Sequence, residues 1–73
     1  MNRWERQRDL MDLKIRQVER DLAEIETIIS SAPCQTNAEL MTRAMTIKQT
    51  MERRLDAYIC SKRVAEQWLL PVA

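Results

Sequence analysis

Cys34 and Cys60 are the groups in this chain best suited to act as a nucleophile or a soft metal ligand, and neither has an activating neighbour of a recognisable kind. The chain contains no histidine, so it lacks the usual general base and the commonest zinc partner of a thiolate. The cysteines do not form a CxxC, and a metal site would have to recruit carboxylates or another chain. Asp9 with Asp12 and Glu24 with Glu26 are neighbouring carboxylates, but their spacing suits a solvated helix face. No glycine occurs anywhere, so no phosphate-cradling loop can form. These absences predict a protein that is not an enzyme and binds no cofactor and no metal.

The elements that position these residues are read from apolar spacing. Met1, Trp4, Arg8, Met11, Ile15, Val18, Leu22, Ile25 and Ile29 follow alternating steps of three and four, the seam of a packed helix. Asn2 and Glu5 resemble a capping box at its start, and Asp12 with Arg16 and Arg20 with Glu24 are oppositely charged pairs four apart. Helix A is predicted over residues 2–31. Pro33 within "SSAPCQTN" interrupts it, which leaves a loop at about residues 32–36. Thr36 with Glu39, or Asn37 instead, caps the next run.

Helix B is predicted over residues 37–69, ahead of Pro71. Its seam runs through Met41, Ala44, Lys48, Met51, Leu55, Tyr58, Lys62, Ala65 and Leu69, with Leu40, Ile47 and Trp68 widening the edge. The fold class is therefore all-α: one domain over residues 1–73, an antiparallel two-helix hairpin. Facing residues should have numbers summing to about 69, which sets large beside small, Ile25 with Ala44 and Trp4 with Ala65. Cys34 and Cys60 would stand roughly 36 Å apart along the hairpin and stay reduced, Cys60 the more buried of the two. The same register brings Arg8 near Lys62, two cations that should snorkel toward Glu5, Asp12 and Glu66. Met41, Met45 and Met51 read as core filler more than as a binding groove.

A net charge of +1, from twelve basic and eleven acidic residues, is far from the strongly basic balance of a nucleic-acid binder. No run of residues is long and apolar enough for a membrane span, and "MNRWERQRDL" is too charged for a signal-peptide core. A cytoplasmic protein is expected. Seventy-three residues are few for a self-sufficient core, so help from a second chain is expected as well.

The tail "AYICSKRVAEQWLLPVA" shows where that help would dock. Ala57, Cys60, Val64 and Trp68 form a stripe well away from the seam, and Leu10 and Leu13 stand off the seam of helix A nearby. One neighbouring helix cannot cover both stripes. Leu10, Leu13, Cys60, Val64, Trp68, Leu69 and Leu70 are the predicted partner-binding residues, and the partner is a second copy or another protein.

The function this implies is a protein–protein interaction module that works by burial. In size, in its heptad runs either side of "SSAPCQTN" and in its lack of an active site, the chain resembles the small two-helix co-chaperones of type III secretion needle subunits. That resemblance implies a bacterial cytosolic assembly co-chaperone or adaptor that stabilises a helical, tetratricopeptide-like chaperone. The alternative is a dimeric helical-bundle regulator of RNA, with Arg3, Arg6, Arg16, Arg20, Arg53, Arg54 and Arg63 on phosphates. Acidic neighbours such as Asp9, Glu19 and Asp21 weigh against it.

Overall fold

A computed structural model describes residues 2–69. The order of elements is α1 (Arg3–Ile29), α2 (Ala32–Thr36) and α3 (Ala38–Leu69). The two long helices pack against each other along their length, so the described residues form an all-α helical hairpin, a rod of 57 × 16 × 15 Å. Met1, Leu70 and Pro71, expected at the seam, the docking surface and the helix stop respectively, lie outside the described residues.

Both long helices begin where a side chain can replace a missing backbone partner. Asn2 caps α1, its Oδ1 accepting from the Trp4 amide at 2.8 Å. Of the two candidates for α3, Asn37 is the cap: extended at φ −129° and ψ 107°, it accepts from the amides of Glu39 and Leu40. Thr36 instead turns its hydroxyl back to the Ala32 carbonyl, and Glu39 pairs with Arg43.

The segment at 32–36 departs from the expected loop. It is a one-turn helix, because Pro33 falls in its first turn, where a missing N–H costs nothing and a fixed φ is an advantage. The chain changes direction at Ser31, which is extended at φ −73° and ψ 153°. Gln35 ties α2 back to the end of α1 by donating from Nε2 to the Ile29 carbonyl at 2.8 Å.

This turn also reverses the expected order of the two thiols. Folding 32–36 into a helix carries Cys34 under the hairpin's bend, where it is 5% exposed and packs with Ile25 and Ala44. Cys60, expected to be the more buried, is exposed on the back of α3, and both thiols are free.

The core is a single thin layer. On α1 the buried residues are Met11, Val18 and Ile25, seven apart; on α3 they are Ala44 and Ala65, with Ala65 completely enclosed. Long side chains of one helix thus sit against alanines of the other, which lets the two backbones approach closely. Leu22, Ile29, Met41 and Met51 pack half-buried around Ile25, Cys34 and Ala44, whereas Met45 is exposed. Two of the three methionines are therefore core filler, as the spacing suggested.

Contacts across the seam run slightly ahead of the expected register: Trp4 with Trp68, Lys14 with Tyr58, Asp12 with Lys62 and Glu26 with Lys48. Helical side chains lean toward their own N-terminus, so in an antiparallel pair the residues that touch carry higher numbers than those whose backbones are level.

Candidate protein-binding surface

The buried seam residues divide the rod into two unlike sides. At about 100° per residue, the position directly after a buried residue lies on one side of the seam, and the position three after it lies on the other. In an antiparallel hairpin the matching positions of both helices share a side.

Directly after Met11, Val18 and Ile25 come Asp12, Glu19 and Glu26. Facing them, Lys48 and Lys62 occupy seam positions where an apolar residue would be expected. Each crosses the seam to a carboxylate: Lys62 Nζ lies 2.7 Å from Asp12 and 3.7 Å from Glu66, and Lys48 Nζ lies 3.8 Å from Glu26. The ammonium of Lys62, hydrogen-bonded to Asp12, holds that carboxyl below the ordinary aspartate range, against a smaller opposing effect of desolvation. The same hydrogen bond raises Lys62 above the usual lysine value. Arg8, expected beside Lys62, pairs instead with its neighbour Asp9 at 3.2 Å. All three seam cations thus already have carboxylates of this chain, and the ion pairs of Lys48 and Lys62 close the side.

Three after the same α1 residues come Lys14, Asp21 and Ile28; three after Ala44 and Ala65 come Ile47 and Trp68, with Leu40 one heptad before Ile47. Ile28, Leu40 and Ile47 line an open groove of about 420 Å³ near the bend, and buried Ile25, Cys34 and Ala44 form its base. At the other end, Trp68 stacks on Trp4 with ring centroids 5.6 Å apart and an angle of 12° between planes. It is nevertheless 66% exposed, so most of the indole faces solvent. Leu10 and Val64 directly precede Met11 and Ala65, which puts them on this side too.

Among the described residues eight large apolar side chains are exposed: Leu10, Leu13, Ile28, Leu40, Met45, Ile47, Val64 and Trp68. Six of them belong to this one side, and only Leu13 and Met45 do not. Such collection on one side is what distinguishes a binding surface from the scattered apolar residues every protein exposes.

Of the partner-binding residues predicted from sequence, the structure brings Leu10, Val64 and Trp68 together at the open end. Leu13 and Cys60 are exposed but point to the outer faces of their helices. Leu69 is half-buried in the seam, and Leu70 lies outside the described residues. The groove at the bend was missed, although Leu40, Ile47 and Trp68 share a heptad position that carries the signal. The seven arginines of the RNA alternative are all exposed and interleaved with acids.

Among the described residues no group of three or more His, Cys, Asp or Glu side chains is placed to hold a metal ion, and no helix is long and apolar enough to cross a membrane. No protein family, curated protein or solved structure matches the chain.

Proposed function

We propose that this chain is a non-catalytic protein–protein interaction module whose long apolar side docks onto a helical protein surface. The observation that carries the reading is the segregation itself: six of eight exposed large apolar side chains on one side, ion pairs on the other. A thin seam cannot compensate for so much exposed apolar surface, and covering that surface is the energetic reason to associate. In the cell such a module would serve as a small assembly co-chaperone or adaptor, in line with the resemblance to type III secretion co-chaperones, and would act in the bacterial cytoplasm.

Affinity capture from the organism that encodes the chain tests this, with three baits compared. The intact chain and Glu19→Gln, on the ion-paired side, should retain the same partner, and Ile47→Glu, on the apolar side, should lose it while circular dichroism shows both variants helical. Equal capture by all three baits would place the binding surface elsewhere.

A further inference from the structure

The apolar side is not uniform, and its pattern selects an occupant. Along α3 the apolar residues stand at the ends, Leu40 and Ile47 near the bend and Trp68 at the open end, with Arg54 and Ser61 between them. Along α1 the middle of the same side carries one cation and one anion, Lys14 and Asp21, seven residues apart.

We infer that the occupant is a second copy of this chain, packed side to side and antiparallel about a twofold axis through the middle of the rod. This inference rests on the reading of the apolar side as a binding surface. A twofold axis midway between Lys14 and Asp21 sets Lys14 of each copy against Asp21 of the other, giving two attractive pairs. An axis midway between Leu40 and Trp68 falls at Arg54 and sets Trp68 of each copy over the groove of the other. These two axes are one and the same. Lys14 lies over Tyr58 with its Nζ 5.4 Å from the ring centroid, and four residues on along α1 and four back along α3 lead to Val18, beside the midpoint of Lys14 and Asp21, and to Arg54.

Size agrees with this arrangement. Leu40 and Trp68 are about 42 Å apart at 1.5 Å per residue, within the length of a rod 57 Å long. If covered along its full length, a side of 57 × 16 Å gives each copy a footprint of roughly 900 Å², of the same order as the ~800 Å² per partner of a standard stable interface. The groove of about 420 Å³ has room for an indole ring. The axis creates one unfavourable contact, Arg54 beside its own symmetry mate, which makes the contact reversible and leaves the side available to a different protein.

Sedimentation velocity across about 1–200 μM tests the inference on the full chain. The intact chain should dimerise. Lys14→Glu and Asp21→Lys should each raise the dimer Kd about tenfold, because the axis repeats every reversed contact twice. The double variant Lys14→Glu/Asp21→Lys should return to near the original Kd, and Arg54→Gln should tighten it. Circular dichroism of each variant separates lost association from lost folding. A monomer at every concentration would overturn the inference, as would a dimer whose double variant is no stronger than its singles. If the chain is monomeric while Ile47→Glu still abolishes capture of a cellular protein, the second copy is excluded and the interaction reading stands; loss of both results would remove both.

Discussion

Lys62 shows how a residue that breaks a pattern can be the one that organises a side of the molecule. At its seam position an apolar side chain would bury more surface, yet Lys62 reaches Asp12 and Glu66 and closes the hairpin's edge. Its effect on stability follows from the direction of the two pKa shifts. Asp12 is lowered on folding, so its contribution is complete above the ordinary aspartate value and is lost as pH falls through the lowered one. Lys62 is raised, so its contribution is complete below the ordinary lysine value and is lost as pH rises through the raised one. Asp12→Asn should therefore lower the thermal midpoint most between about pH 5 and 9, with the gap to the intact chain closing in strong acid and strong alkali. Thermal melts by circular dichroism over that range measure the gap, and a gap of constant size would mean that the pair contributes nothing through its charges.

At the scale of elements, the two thiols report on the turn. Because α2 tucks Cys34 beneath the bend, Cys34→Ser puts a hydroxyl among Ile25 and Ala44 and should cost about 1–3 kcal/mol. Cys60→Ser on the exposed back of α3 should stay within about 0.5 kcal/mol. Denaturant unfolding of the two variants gives both figures, and native thiol labelling should modify Cys60 well before Cys34. The reverse order of reactivity would return 32–36 to the open loop that the sequence suggested. Both long helices were legible beforehand, since the three-four alternation spans each and Asn2 and Asn37 mark their starts. The short helix was not, because a proline reads equally as a stop and as a first-turn residue, and only the packing of Cys34 decides between them. The groove escaped for a similar reason. Leu40 and Ile47 looked like the edge of a wide seam until Ala44 fixed which direction the seam faces.

At the scale of the whole molecule, a two-helix rod must leave half of its apolar stripe uncovered, and this chain distributes that exposure unevenly. Asp12 and Glu26, directly after Met11 and Ile25, draw Lys62 and Lys48 across one side, while the other keeps Ile28, Leu40, Ile47 and Trp68 in the open. Fold and binding share one cause on this account, because the heptad that sets the seam also sets which residues are left to bind. Leu13 and Met45 are as exposed as the others but lie off the side, which makes them internal controls. The most direct test is radical footprinting of the chain, free at low concentration and associated with its own copies or its captured partner. The account predicts that Ile28, Leu40, Ile47 and Trp68 lose labelling on association while Leu13 and Met45 keep theirs. Protection of Leu13 and Met45 with the other four unchanged would contradict it.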